Sequence, residues 1–332
     1  MHDTLLLTVV VIVIALLFDF TNGWNDAANS IATVVSTRVL SPFQAVLFGA
    51  TLNFVGAYLS TKVAKTIGGD ITDPKTITQT VILSAMITAS GWTALMTRLG
   101  LPISASHALI GGIIGATISF KGIAALHIEG VTKILVALIL SPIFGFAIGF
   151  LLMFLIIWLF HRFSPSSINR TFGKLQILSA GFMAISHGTN DAQKAMGVIT
   201  MTLVSAGYLN TVEVPIWVIS ASAIVMGLGT AFGGWKVIKT LGVNLLKIRP
   251  VQGFAAESSA SVVILGAASL GVPVSTTHVI ASAIMGVGST TRFSAVRWGI
   301  ARDIVIAWIV TLPVCALVAG ILFQLIDAIS RI

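Results

Sequence analysis

Apolar residues run along this chain in long, nearly unbroken stretches, and polar residues gather in the short intervals between them. "LLLTVVVIVIALLFDF" opens the pattern, and comparable runs cover 4–20, 43–67, 77–97, 131–160, 174–186, 214–235, 251–270 and 300–328, with shorter ones at 103–120 and 274–288. A helix needs about 20 residues to cross the hydrocarbon core of a bilayer. The longer runs therefore predict spanning helices, and the short ones predict broken helices or re-entrant hairpins. The expected fold class is an all-α polytopic membrane protein with about ten hydrophobic segments.

The pattern is also written twice. "GWNDA" at 23–27 matches "GTNDA" at 188–192, "KVAKTIG" at 62–68 matches "KVIKTLG" at 236–242, and "LGLPISASH" at 99–107 matches "LGVPVSTTH" at 270–278. Farther on, Pro142 and Gly149 match Pro313 and Gly320. Collinear blocks of this kind mark a duplication. They predict a first repeat over 1–160, a cytoplasmic linker over 161–173, and a second repeat over 174–332.

Composition agrees with the apolar pattern: 56% of the 332 residues are hydrophobic and 9% charged, against about 25% charged in a soluble domain. Mean hydropathy is +1.01. The net charge of +8 would suit a nucleic-acid partner, but Lys and Arg fall mostly in short loops, where they mark cytoplasmic flanks; no nucleic acid is expected. The loop "HRFSPSSINRTFGK" carries Arg162, Arg170 and Lys174 without an acid, which places it inside the cell. "MHDT" carries no Lys or Arg, which places the N-terminus outside. The first half then crosses an odd number of times, the second half is inserted upside down, and the C-terminus also lies outside. The first run lacks a basic leader and leads straight into a polar motif, so it reads as a span rather than a cleavable signal. The lone Cys315 reads as packing and excludes an internal disulfide or a multi-Cys metal site.

Inverted repeats are the architecture of many secondary transporters, whose substrate site lies near the midplane between the repeats. Intramembrane acids are costly and mark function by default. Asp26 and Asp191 occupy equivalent places in the two repeats, beside Asn25 and Asn190. Each Asn-Asp pair also reads as the cap of a helix starting at the following Ala, with Gly23 and Asn25 breaking the span. "PISASH" and "PVSTTH" predict half-helices whose first turns point into the protein. Free N–H groups at a helix start bind oxyanions, and Ser104, Ser106, Ser275, Thr276 and Thr277 would add hydroxyl donors; ordinary interhelical packing of Ser and Thr is the plainer reading. His107 and His278 close those motifs, either as structural residues or on the transport pathway. Zinc ligand spacing is absent, so no metal site is expected.

Carboxylates beside an anion site repel the anion. Asp26 and Asp191 must therefore be protonated, be paired with a cation, or accept a proton from the substrate. Phosphate at neutral pH still carries P–OH donors whereas sulfate does not, so the acids favour phosphate.

"GWNDAANS", "HGTNDAQKAMG", "LPISASH" and "GVPVSTTH" resemble the duplicated signatures of the PiT family of inorganic phosphate transporters, and the "NDAQK" form resembles its bacterial low-affinity branch. "GFAAESSAS", with Glu257, resembles a further family element. The resemblance implies cation-coupled phosphate uptake across the plasma membrane, usually driven by protons, in some members with phosphate moving as a metal complex. It also implies a homodimer and a PhoU-like accessory protein. Cation coupling would fall to Asp26, Asn29, Asp191, Lys194 and Glu257, with H+ or Na+ as the coupling ion and no cofactor. Two departures stand out. Animal-type members carry a Glu where this chain has Asn53, and Lys194 stands at the mirror position of Asn29, where sodium-coupled relatives tend to have Asn. An ammonium at Lys194 would replace one bound sodium, contact phosphate directly, or reach to a membrane interface. A sulfate or other oxyanion permease of the same fold is the alternative reading. An intramembrane hydrolase using Ser106, His107 and Asp26, and a passive channel, are more distant ones.

Overall fold

Most of the expected helices form, and those of the first run and of the run at 174–186 extend well beyond the apolar stretch, whereas the runs at 43–67 and 214–235, expected to span, are each broken into two bent pieces. A computed structural model describes residues 2–330. The first half comprises α1 (His2–Ser36), α2 (Pro42–Ala57), α3 (Lys62–Gly69), α4 (Gln79–Leu99), α5 (Ala105–Lys121) and α6 (Ile128–Phe160). The second comprises α7 (Pro165–Ser205), α8 (Ile216–Phe232), α9 (Trp235–Lys239), α10 (Pro250–Ser269), α11 (Thr276–Thr291) and α12 (Trp298–Ser330). Among the described residues, α1, α4, α6, α10 and α12 are long and apolar enough to cross a membrane. The α2–α3 pair bends by 69°, and α8 bends by 63° against the segment 235–244; counting each pair as one span gives seven. The run at 174–186 is absorbed into α7. Met1, Arg331 and Ile332, where the chain ends were expected to face outward, lie outside the described residues.

The segment 161–173, expected as a linker, is helical from Pro165 onward. Ser164 accepts from the backbone N–H of Ser167 at 3.4 Å, and Pro165 occupies the first turn, where its missing N–H costs nothing.

The same order of elements recurs in both halves, and the halves pack reciprocally. α5 lies against α12 as α11 lies against α6, and α1 packs on α8 and α4 as α7 packs on α2 and α10. Small residues permit these approaches: a Cβ at Gly145 or Gly149 of α6 would stand 2.6 or 2.8 Å from the carbonyl oxygens of Val279 or Ala283 in α11. α4 turns back into α5 at Gly100 (φ 78°), and α10 into α11 at Gly271 (φ 71°), a backbone region that glycine enters without a Cβ penalty. Ser104 then caps α5 and Ser275 caps α11, which gives the two predicted hairpins.

Two large apolar clusters fill most of the interior of the described residues. One gathers Val11, Ala15 and Phe18 of α1 with Ala195 to Met201 of α7. The other gathers Ile31 and Val34 of α1 with Ala180 and Met183 of α7. The repeated Asn-Asp motifs fall where both helices pass from one cluster to the other. Outside, Ile139, Phe144, Leu151 and Phe154 of α6 and Ile309, Leu317 and Ile321 of α12 are exposed, the surface a helix presents to hydrocarbon.

Candidate functional site

"GWNDAANS" does not break its helix. Residues 23–30 lie inside α1, and "GTNDA" lies inside α7, so the Asn-Asp pairs are not caps and neither Gly23 nor Asn25 interrupts the span. In a membrane, continuous helix keeps the backbone groups paired, and the polar side chains leave sideways. The glycines serve close packing instead. A Cβ at Gly23 would lie 2.6 Å from the Met226 carbonyl of α8, and Gly188 sits equally hard on the Asn53 backbone of α2.

Continuity fixes which residues share a face, since positions three and four apart are neighbours on a helix. Asn22, Asp26, Asn29 and Thr33 line one side of α1, and His187, Asp191 and Lys194 line one side of α7. All seven are buried. Where the stripes meet, Thr277 Oγ1 donates to Asp26 Oδ1 at 2.7 Å and Thr276 Oγ1 donates to Asp191 Oδ2 at 3.0 Å. Asn29 Nδ2 donates to the Thr276 and Thr277 hydroxyls at 3.3 and 3.0 Å. The Lys194 ammonium lies 2.9 Å from Asp191 Oδ1. Asp26 and Asp191, from opposite repeats, are thus both tied to the tip of one hairpin.

His187, to which the sequence reading gave no role, sits between them. Its Nε2 is 3.2 Å from Asp191 Oδ2 and 3.7 Å from Asp26 Oδ2. Asn53 Nδ2 donates to Thr230, which leaves Asn53 Oδ1 as the acceptor facing His187 Nδ1 at 3.0 Å; the imidazole proton is assigned to Nδ1 from this network. Nε2 then either carries a second proton between two carboxylates or turns a lone pair toward a cation there. Asp26, His187 and Asp191 offer ligand atoms within 4.8 Å of one another, a grouping that metal-motif spacing in the sequence did not reveal.

The other predicted site residues divide. Ser104 and Ser275 are engaged as caps, accepting from the N–H groups of His107 and His278 at 3.1 and 3.3 Å. Ser106 Oγ donates across the repeats to the Val274 carbonyl at 2.9 Å, not to His107, so the hydrolase arrangement is not assembled. Asn25 Nδ2 donates to Thr97 at 2.8 Å. Thr97 also lines a cleft of about 510 Å³ bounded by Trp24, Arg98 and Lys236, one hydrogen bond from the site. Neither amide atom of Asn190 has a partner. The rings of His107 and His278 stand 4.6 Å apart, with Trp308 stacked on His278 at 3.9 Å, and both histidines line a separate cavity of about 500 Å³ with Pro142 and Pro313. Glu257 is not part of the cluster. Its carboxylate accepts from Thr33 and Ser179 and, at 3.2 Å, from Gln176, one turn beyond Asn29.

The profile of a family described as the phosphate transporter family matches residues 22–319. The chain belongs to that family. A probable low-affinity inorganic phosphate transporter of Bacillus subtilis (strain 168) is 46% identical over 332 residues, covering 99% of this chain and 100% of that protein. One from Rhizobium meliloti (strain 1021) is 44% identical, covering 98% of each. Among solved structures, one titled "The sodium-dependent phosphate transporter" superposes with a TM-score of 0.91 at 26% identity, over 97% of this chain and 99% of that one. This phosphate transporter family member is accordingly a membrane transporter and not an enzyme, as its repeats and apolar helices foretold. The matched span holds both Asn-Asp motifs, both hairpins, Lys194 and Glu257.

Proposed function

We propose that the protein takes up inorganic phosphate by alternating access, driven by protons, and binds the anion where Asp26, Asp191 and the α10–α11 hairpin meet. The observation that carries this reading is that Thr276 and Thr277, at the start of α11, donate to carboxylates from opposite repeats. A helix start with hydroxyl donors is oxyanion chemistry, and here the two carboxylates occupy the donors that an anion needs. Phosphate entering the site takes over the hydroxyls. Asp26 and Asp191 must then be satisfied by other donors: Lys194 for one of its oxygens, the P–OH of phosphate, or protons bound with it. Anion entry and proton entry become one event, and sulfate, with no P–OH, is disfavoured. The reciprocal repeats supply two related arrangements between which the site exchanges sides. Plasma-membrane placement, a homodimer and a PhoU-like partner complete the reading and rest on the family resemblance, and the outward termini rest on the distribution of Lys and Arg.

Reconstituted uptake tests it. With the purified protein in liposomes, an inward proton gradient is expected to accumulate phosphate, an equal sodium gradient to fail, and excess sulfate not to compete. Accumulation on a sodium gradient alone overturns the proton reading.

A second reading, in which a divalent ion travels with phosphate as cargo, is favoured by the Asp26, His187 and Asp191 grouping. The outward-facing tautomer of His187 suits it. The ammonium 2.9 Å from Asp191 opposes a divalent charge there, so the proton reading comes first. Uptake of magnesium in step with phosphate would reverse that order.

A further inference from the structure

Asp19 lies in α1 two helical turns before Asp26, on the face that Asn22 and Asp26 share, about 10 Å along the axis. It is wholly buried, and among the described residues the Ser222 hydroxyl of α8 is the one side-chain donor that faces its carboxylate. One turn on, neither amide atom of Asn22 is paired among the described residues. The charged and titratable groups that act on Asp19 are His187, Asp191 and Lys194 of α7; from α8, the helix packed along α1, the Ser222 hydroxyl faces it. The buried face of α4 holds no titratable group. Lys236 and Lys239 follow the Gly234 contact at Trp24, while Glu257 of α10 and His278 of α11 belong to elements that meet α1 at Asp26 and beyond it.

A buried carboxylate with one hydroxyl beside it and no cation paired to it is untenable as a bare ion. Lys194 is committed to Asp191, so no fixed cation neutralises Asp19. Whatever does so must be exchangeable. The side-chain oxygens on hand are the two of Asp19, Asn22 Oδ1 and Ser222 Oγ, fewer than the six or so that a hard metal cation takes. A proton needs one of them, and the neutral carboxyl becomes a donor that Asn22 or Ser222 can accept.

We propose that Asp19 is a proton-carrying carboxylate of the transport cycle, lying apart from the substrate cluster: it takes a proton from water when its crevice opens, holds it while buried as here, and returns it to water on the other side. The sequence overlooks it because Asp19 belongs to neither repeated block; its mirror position on α7 is Ala184. The proposal rests on the proton-driven reading, and the test separates the two.

The full-length protein is reconstituted with a pH dye in the vesicle lumen, and proton entry is recorded alongside labelled phosphate. The wild-type arm tests the reading: if proton entry does not accompany phosphate, proton coupling fails and Asp19 with it. Where wild type couples, Asp19→Asn is expected to lose part of the proton entry per phosphate and the accumulation driven by the pH gradient, yet to retain exchange of internal for external phosphate. Asp19→Glu is expected to keep the coupling. An unchanged proton-to-phosphate ratio in Asp19→Asn overturns the assignment. So does loss of exchange in Asp19→Asn that Asp19→Glu does not restore, since that marks a packing role.

Discussion

The Lys236 ammonium of α9 donates to the backbone carbonyl of Arg98 at 2.8 Å, at the turn between α4 and α5. Its mirror residue Lys62 of α3 donates to Ser269 at 2.9 Å, at the turn between α10 and α11. The threonines one turn along repeat the arrangement, Thr240 to Gly100 at 2.8 Å and Thr66 to Gly271 at 2.7 Å. The repeated "KVAKTIG" and "KVIKTLG" segments therefore each pin the hairpin of the other half. Both lysines are exposed, so each bond is worth at most about 1 kcal/mol, a factor of about five in a two-state equilibrium.

Lys236→Met and Lys62→Met are expected to bias access in opposite directions. A cysteine placed at Thr97, in the cleft beside Lys236, reads this in a Cys315→Ser background. Its labelling by an impermeant maleimide should quicken up to about fivefold in Lys236→Met and not in Lys62→Met. Equal change in both variants would remove the hairpins from the gating movement.

Lys194 yields a sharper test because it is buried. Breaking a buried pair by removing one partner costs about 3–5 kcal/mol, since the remaining charge is left without compensation. In Lys194→Asn, Asp191 must find another cation, and the variant is expected to transport poorly without sodium and to regain activity as sodium rises. Lys194→Asn combined with Asp191→Asn should lose that sodium response. A cation requirement unchanged from wild type would show that the ammonium does not stand in for a mobile ion.

Much of this is legible in the sequence, and most of what is not shares one physical cause. The duplicated blocks located both hairpins, and the equivalence of Asp26 with Asp191 placed the acids where the halves meet. The Asn-Asp motifs predict helix breaks, because Gly, Asn and Asp are cap and turn residues in water. In a bilayer the unpaired backbone of a break costs more than polar side chains that can pair with a facing helix. Once α7 runs through "HGTNDA", His187 falls one turn from Asp191 and enters the site. Once α1 runs through "GWNDAANS", Asp19 joins the face of Asp26, and Thr33 carries that face to Glu257. Spacing within a motif could not reveal these neighbours while the helix was expected to stop. Nor could it reveal that Ser104 and Ser275 would be occupied as caps.

The glycines at the motifs provide a packing test. A Cβ at Gly23 meets backbone, the Met226 carbonyl at 2.6 Å, which no rotamer change relieves. Overpacking of this kind costs about 1–3 kcal/mol. Gly23→Ala is expected to lower the thermal midpoint of the detergent-solubilised protein and to part α1 from α8. Gly91→Ala, in α4 with nothing within 4 Å of the added methyl, should be neutral or slightly stabilising. Equal midpoints for the two variants would mean that the α1–α8 contact yields at no cost.

Glu257 separates a structural from a coupling role, because its three donors differ. Thr33 and Ser179 are hydroxyls and can turn to accept, whereas the Gln176 amide can flip. Glu257→Gln therefore keeps a satisfied network, but it can no longer be charged. Glu257→Leu strands all three groups in the interior, at about 1–3 kcal/mol for each one left unpaired. The thermal midpoint is expected to fall clearly in Glu257→Leu and little in Glu257→Gln. If Glu257 takes part in cation coupling, Glu257→Gln should lose gradient-driven phosphate accumulation despite its stability, while retaining phosphate exchange. Full accumulation in Glu257→Gln would confine Glu257 to joining α1, α7 and α10, and would leave the coupling charges to α1 and α7 alone.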